Sequence, residues 1–437
     1  MVHRIRNNSE FYPVGQGLFY SSQFYYENRD NGKTIECNII FDCGSENLEQ
    51  INKSIDQYFD RYNRKVIDVL IISHLHFDHI SGLDKILNDT SIKIKTIVLP
   101  YLYPEERILL AVDNSKLDDW YYRFLSNPLG YLSEYDNIGN IITIASDNDN
   151  DTIHSIPEGQ FFNDENINPD SILINRLTGN AFLSDFVNAN ENIQNSKKIS
   201  FAQDKGYLII GNFLYLSFFN YSVSKSKLDE FKGKIIDFGI LTPLSFKEII
   251  KSKKKLDFLK KAYEVFGKDL NISSLAMFQG IINPLKNKNP QDYYFDCYCR
   301  HHRYWHYHDA FCDNCCDFPY HCEKKQIICG KILLGDIKLN YKLKSKSLFE
   351  QFEKLLPSVM QIQISHHGAD CGWNDELINQ FSKKTKYIVS YGIENKYSHP
   401  HKNVIMQVVN SGRNLHCVNE NKRYVSECGI DWGLRKK

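Results

Sequence analysis

The stretch VIDVLIISHLHFDHISGL, residues 66–83, decides how this chain is read. It opens as a short apolar run rich in β-branched side chains, the pattern of a buried strand. Four side chains able to bind a metal follow at once: His74, His76, Asp78 and His79. A strand end fixes the backbone, and the loop beyond it can turn alternate side chains toward one point. His74 and His76, two apart, can face one ion, while Asp78 and His79 turn toward a second. Imidazole and carboxylate ligands together suit zinc, manganese or iron. After this cluster, ISGLDKILND (80–89) carries the start of a helix.

Outward from that loop the pattern is mostly strand. LFYSSQFYY (18–26) and IECNIIFD (35–42) are rich in aromatic and β-branched residues, with the turn NRDNGK between them, and KTIVLP (95–100) is a further strand. From 104 to 200 the signal weakens. PEERILLAV and LDDWYYRFL have helical character, but DNDNDT and NANENIQN are polar, so residues 108–200 are expected to be an insertion or connector of mixed structure. GYLIIGNFLYLSFFNYS (206–222) predicts two strands joined at Asn212, and a lysine-rich helical region covers 225–268. The last third holds strands in NISSLAMFQGII (271–282), KILLGD (331–336), QIQIS (361–365) and TKYIVSYG (385–392). The helical segments SLFEQFEKLLP and WNDELINQFSKK precede the third and fourth of these strands. This alternation predicts two mixed sheets with helices packed outside and the chemical clusters at strand ends.

Composition narrows the function classes. The 437 residues allow two or three domains, or one with large insertions. Lysine plus arginine and aspartate plus glutamate both number 53, so nucleic acid would have to be met by a local basic surface or a metal site, not by overall charge. No apolar stretch of membrane-spanning length is present, and MVHRIRNNSE lacks an apolar leader region. The expectation is a soluble cytoplasmic protein with no membrane association, in which the twelve cysteines are thiols or metal ligands.

The spacing His74-X-His76-X-Asp78-His79 resembles the HxHxDH motif of the metallo-β-lactamase superfamily of hydrolases. That resemblance implies an α/β fold, a four-layer αββα sandwich with metals at one edge of the sheets, as a single domain over 1–437 carrying insertions. It also makes Asp42, at the end of IIFD, the aspartate that buttresses the metal loop. VGQG (14–17), IDVLIISHLHFDHISGL, the Asn and Ser of NISS (271–274), ILLGD, ISHHGAD and SYGIENKYSHPH occur in an order similar to the hydrolase domain of the competence DNA-uptake protein ComEC and its free-standing relatives. The likeness covers 11–105 and 205–425 discontinuously.

The resemblance implies several roles downstream. Asp336 of LLGD matches the bridging carboxylate, one oxygen for each metal. Superfamily members usually take another histidine from a segment before that aspartate, but here residues 80–300 offer only His154, in a polar stretch. His366 and His367 are therefore expected to share the task, one completing each metal, unless one of them orients a ligand or a substrate phosphate instead. His399, in SHPH, is expected to bind a phosphate oxygen or protonate a leaving group, with Asp78 as the other catalytic residue; an ordinary loop histidine is the alternative. Asn395, Lys396 and Tyr397 are candidate substrate contacts.

Residues 285–328 stand apart as a Cys/His-rich insert. Six of the twelve cysteines fall in CYCRHHRYWHYHDAFCDNCCDFPYHC. Cys297, Cys299, Cys312 and Cys315 have spacing close to that of a structural zinc site. A reduced, aromatic-packed loop and disulfides are the alternatives. Tyr304, Trp305 and Tyr307 either stack on bases or pack the core of the module. The basic stretch FKEIIKSKKKLDFLKK (246–261) predicts an amphipathic helix whose charged face is solvated or binds phosphates.

Together these residues imply a dinuclear hydrolase with two divalent ions, zinc or manganese, and a possible additional structural zinc. A metal-bridging hydroxide would attack a phosphodiester in a nucleic acid or nucleotide. The same site on small esters, thioesters, lactams or phosphomonoesters is one alternative. A metal-bound, non-catalytic scaffold in a protein complex is another. The relatives often sit in multi-gene systems, including phage defence, which leaves protein partners open.

Overall fold

This computed structural model describes residues 2–102, 106–107, 110–111, 119–145, 172–175, 198–203, 206–220, 225–236, 252–262, 274–284, 293–302, 327–340 and 342–434. Their strands form two sheets. The first contains β1 (Val2–Phe11), β2 (Phe19–Asn28), β3 (Lys33–Cys43), β4 (Val66–Ile71), β5 (Lys93–Pro100), β6 (Ile138–Ala145), β8 (Ile199–Gln203), β12 (Tyr293–His302) and β17 (Tyr424–Leu434). The second contains β7 (Ile172–Asn175), β9 (Tyr207–Ile210), β10 (Leu214–Asn220), β11 (Leu275–Ile282), β13 (Ile327–Leu333), β14 (Val359–Gln363), β15 (Lys386–Ser390) and β16 (Asn414–Val418). Their orders are β12-β17-β1-β2-β3-β4-β5-β6-β8 and β16-β15-β14-β13-β11-β10-β9-β7.

Each sheet is antiparallel in one half and parallel in the other. In the first, pairing is parallel from β3 through β4, β5 and β6 to β8. In the second it is parallel from β13 through β14 and β15 to β16. Parallel strands point their carboxyl ends to one edge, where loops can build a site. Asp42, the His74–His79 loop, Asp336, His366, His367 and His399 all lie at or just beyond such ends.

Parallel strands are covered on both faces, which explains the unbroken apolar run before the histidines. Leu70 and Ile72 pack outward against helices, whereas Val69 and Ile71 pack inward against the other sheet. The outer layer on the first sheet is made by α1 (Leu48–Tyr62), α2 (Phe77–Ile80), α3 (Leu83–Asn88), α4 (Asp119–Ser126), α5 (Pro128–Ser133), α6 (Lys225–Ile236) and α7 (Lys253–Ala262). The second sheet is covered by α8 (Lys342–Phe352), α9 (Glu376–Gln380) and α10 (Lys402–Asn410), through side chains such as Phe352, Leu377 and Val404. Three apolar clusters thus fill the three gaps of a four-layer αββα sandwich, each fully buried Leu, Ile or Phe contributing roughly 1.5–3 kcal/mol.

A polar layer also crosses the middle gap. Gln279, Lys331 and Gln361 are register neighbours on β11, β13 and β14. They face Ser22, Ser9 and Ser426, register neighbours on β2, β1 and β17. Gln279 Nε2 donates to Ser22 Oγ at 3.1 Å, Lys331 Nζ to Ser9 Oγ at 2.5 Å and Gln361 Nε2 to Ser426 Oγ at 2.7 Å. Buried donors need such partners, so this layer holds one sheet in register over the other.

Several elements differ from the expectations. The segment at β1 carried no strand signal, yet it sits between β17 and β2. Helix α1 was also not anticipated. Its Asn47 cap accepts from Glu49 N–H and Gln50 N–H, and Ile51, Ile55, Tyr58 and Phe59 form its buried face. The helix expected in ISGLDKILND is split into α2 and α3 at Ser81 and Gly82. Within 108–200, the described part supplies α4, α5, β6, β7 and the start of β8, so it contributes to both sheets. β11 and β13 pair directly, and between them in sequence the chain crosses to the first sheet as β12. No helix among the described residues is long and apolar enough to cross a membrane.

Asn47→Ala is expected to lower stability by about 1 kcal/mol through loss of the helix cap. Asn63 ends α1 in the left-handed region, at φ 44°. Asn63→Ala is expected to cost about 1 kcal/mol and Asn63→Gly almost nothing, read as shifts of the urea midpoint.

Candidate metal centre

Asp42 ends β3 with a left-handed backbone, φ 55°, and a side chain that is 0% exposed. Its Oδ1 accepts the Ser73 N–H at 2.6 Å, and its Oδ2 accepts the Ser73 hydroxyl at 2.6 Å and His79 Nδ1 at 2.7 Å. The strand before the histidine loop is thereby tied to the far end of that loop. Ser73 O accepts Leu275 N–H from the other sheet at 2.7 Å, locking the two sheets together at the same point. Gly44 packs against the loop so closely that a Cβ there would lie 2.3 Å from the His79 carbonyl carbon.

The second sheet supplies the opposing wall. After β13, Gln363 Oε1 accepts the N–H groups of Leu334 and Gly335 at 2.8 and 2.9 Å, and Ser274 Oγ accepts Asp336 N–H at 3.2 Å. Gly335 has φ +53°, and a Cβ on it would meet Ser73 Cβ and Ser274 Oγ, each at 2.7 Å. Only glycine lets the Asp336 turn approach the Ser73 strand this closely. After β14, His366 and His367 are both left-handed, at φ 51° and 53°. Such backbone is costly for a side-chain-bearing residue, by about 1–2 kcal/mol each, and is concentrated here at the cluster.

Asp336 stands between two sets of imidazole nitrogens. Its Oδ2 lies 3.7 Å from His74 Nε2 and 3.7 Å from His366 Nε2. Its Oδ1 lies 3.3 Å from His79 Nε2 and 3.8 Å from His367 Nε2. Asp78 Oδ2 joins this second set, 3.3 Å from His367 Nε2 and 3.9 Å from His79 Nε2. His76 sits beside the first set, its ring 4.9 Å from that of His74 and nearly perpendicular to it.

The donor atoms fit metal ions. Asp42 Oδ2 and the Ser390 carbonyl can only accept, so His79 and His367 carry a proton on Nδ1. Ser73 Oγ already donates to Asp42 and accepts from His74 Nδ1 at 2.9 Å, giving the same tautomer. The Nε2 atoms of His74, His79 and His367 are buried and make no hydrogen bond. They converge at 3.3–3.9 Å on carboxylate oxygens, near the spacing of about 3.3 Å for two atoms bound tetrahedrally to one zinc at about 2.0–2.1 Å. Asp78, His79 and His367 form one group that could hold an ion; Asp42, His74 and His79 form another, in which Asp42 is already committed to Ser73 and His79.

Charge follows the same division. Burial pushes the Asp336 carboxyl up, but His79, His366 and His367 outweigh it and hold it well below the usual range. Asp78 behaves likewise under His79 and His367. Burial lowers His79 and His367, yet the surrounding carboxylates win and raise both. His74 is held well below its ordinary value by burial and by neighbouring His79. His366 and His399 are pushed down to about 4, chiefly by burial. The carboxylates around His79 and His367 thus favour positive charge at the place a bound cation would take.

The His399 loop borders this cluster. The His399 ring lies 5.5 Å from that of His366 and 6.3 Å from that of His367. Asn395, expected as a substrate contact, instead spends its amide on the loop: it donates to Gly392 O and His399 O and accepts from the N–H groups of Tyr397 and His399. Tyr397 stacks on His399 at 5.5 Å and donates to Glu46, and Lys396 lies over the Tyr397 ring. Ser390 and Cys371 contact His367 and His366, and Gln363 holds the turn before Asp336; none of the three is singled out from the sequence. For Gln363 a signal existed: QIQIS alternates glutamines in a buried strand. Cys297 and Cys299 lie on β12, opposite Ile430 and Cys428. Cys312, Cys315, His154, Tyr304, Trp305 and Tyr307 lie outside the described residues.

Residues 31–139 match the family model described as metallo-beta-lactamase superfamily. That segment carries Asp42 and the His74–His79 loop but none of Asp336, His366, His367 and His399. No curated protein matches the sequence. Among solved structures, the chain is similar to a long form RNase Z from yeast at 10% identity and a TM-score of 0.33, over 95% of this chain and 41% of that one. The chain thus spans less than half the length of that structure.

Asp42→Asn is expected to keep the fold but weaken metal uptake by roughly 10–100-fold, measured by competition with a chelator. Metal binding is also expected to release protons and to weaken progressively as pH falls, because the neighbouring carboxylates raise the proton affinity of His79 and His367, and protons compete with the ion there. Calorimetry in buffers of different ionisation enthalpy reads that release directly.

Proposed function

We propose that this chain is a dinuclear metal-dependent hydrolase of phosphodiesters. The observation that carries the reading is the division of the two Asp336 oxygens between separate sets of Nε2 atoms. On this reading His74, His76, His366 and Asp336 Oδ2 hold one ion. Asp78, His79, His367 and Asp336 Oδ1 hold the other. Two divalent ions such as zinc or manganese, when bound, supply an activated water near neutral pH and stabilise charge on a phosphoryl group.

The remaining work falls to the protein. Asp42 and Ser73 fix the ring orientations of His79 and His74, so little reorganisation is needed when substrate arrives. His399 is half-buried, its Nδ1 makes no hydrogen bond, and its ring flanks His366 and His367. There it can bind a phosphate oxygen or, once an anionic substrate raises its proton affinity, protonate the departing oxygen. Tyr397 and Lys396 are exposed beside it and offer a stacking face and a cation to the groups flanking the bond. The order of motifs, which resembles that of the ComEC hydrolase domain, supports a phosphodiester over a carbonyl substrate. So does the suitability of two ions for in-line displacement.

Turnover is expected on bis-p-nitrophenyl phosphate and on single-stranded DNA or cyclic dinucleotides, with little on lactams, thioesters or phosphomonoesters. Asp336→Asn and His76→Ala are expected to abolish it with circular dichroism unchanged, and His399→Ala to lower kcat by about a hundredfold or more. Retained activity in Asp336→Asn, or turnover confined to carbonyl substrates, would overturn the proposal.

A further inference from the structure

The Nδ1 partners of the four imidazoles flanking Asp336 are not equivalent. His79, His367 and His74 are backed by oxygen: Asp42 Oδ2 at 2.7 Å, the Ser390 carbonyl at 2.9 Å and Ser73 Oγ at 2.9 Å. His366 is backed by sulfur, with Cys371 Sγ 3.3 Å from its Nδ1. His366 is also the most exposed of the four, its side chain 18% accessible against 0–3% for the others. Its ring is therefore the least confined by packing and depends most on what it hydrogen-bonds.

The position of Cys371 is itself built. Its carbonyl accepts the N–H groups of Leu339 and Asn340 at 3.0 and 3.2 Å, tying it to the segment that follows Asp336. Gly372, next to it, packs where a Cβ would lie 2.8 Å from Ser365 O and 3.0 Å from His366 Cβ. The turn carrying the sulfur is thus pressed against the backbone of the histidine that it contacts, and it is anchored to the strand end that presents Asp336.

We infer that Cys371 is a positioning residue for His366: its sulfur accepts the Nδ1 proton and so directs Nε2 toward Asp336 Oδ2. This deepens the two-ion reading and rests on it. Sulfur is a weaker acceptor than the carboxylate behind His79, and a histidine ligand gains basicity from the group behind it. The ion on the His74 and His366 side is accordingly the more weakly held of the two, and Cys371 governs that ion alone.

The test is zinc binding to the full chain by competition with a chelator, with His366→Ala identifying which ion belongs to this side. Cys371→Val is expected to weaken that ion by about 10–100-fold and the other by less than about twofold. Cys371→Ser, which keeps an acceptor, is expected to stay within a few-fold of wild type. Wild-type affinities in Cys371→Val, or equal weakening of both ions, would overturn the inference while leaving the two-ion reading intact. If no bound ion is sensitive to His366→Ala, that reading falls and this inference with it. A readout that needs no variant is the ¹⁵N spectrum of the wild-type histidines. His366 is expected as the Nδ1–H tautomer, and finding the Nε2–H tautomer would overturn the assignment.

Discussion

The rest of the structure is arranged around one carboxylate, Asp336, which is 3% exposed and faces imidazoles on both of its oxygens. Burying such a charge is expensive unless opposite charge and hydrogen bonds meet it. The first sheet brings His74 and His79, and the second brings His366 and His367. The cluster around Asp336 draws on both sheets and lies on the seam between them, and the fold has to hold that seam in register.

Two kinds of contact do so. Near the site, Leu275 N–H bonds to Ser73 O and Ser274 meets Asp336 N–H, so the segment entering β11 touches both halves of the cluster. Further down, the row Gln279, Lys331 and Gln361 meets the row Ser22, Ser9 and Ser426. An apolar gap could slide by a residue at modest cost, whereas slipping this layer would leave buried amides and an ammonium without partners. β13 carries Lys331 and runs on to Asp336, and β14 carries Gln361 and Gln363 and runs on to His366. The same strands that fix the register therefore deliver the site. The left-handed backbone at Asp42, His366 and His367 is tolerated because hydrogen bonds and packing on both sides determine it.

What could be seen in the sequence follows from how local each signal is. HLHFDH is dense enough to be recognised from a few residues, and a strand feeding it is visible as an apolar run. ISHHGAD and LLGD are weaker alone and gain meaning from their order. β1 escaped because Asn7, Ser9 and Glu10 look like surface residues until their partners across the gap are known. α1 had an asparagine cap and a regular apolar stripe, but its polar composition masked them. The division of His366 and His367 between the two sides of Asp336 was left open by sequence, since adjacent residues diverge only through their left-handed backbone. Cys371 acts through its contact with His366, which no local pattern reveals, whereas the alternating glutamines of QIQIS hint at Gln363.

The central claim is that Asp336 separates two metal positions, and anomalous scattering from crystals grown with zinc tests it most directly. Two peaks are expected to flank the Asp336 carboxylate, one among His74, His76 and His366 and the other among Asp78, His79 and His367. A single peak, or two peaks with neither in contact with Asp336, would contradict it.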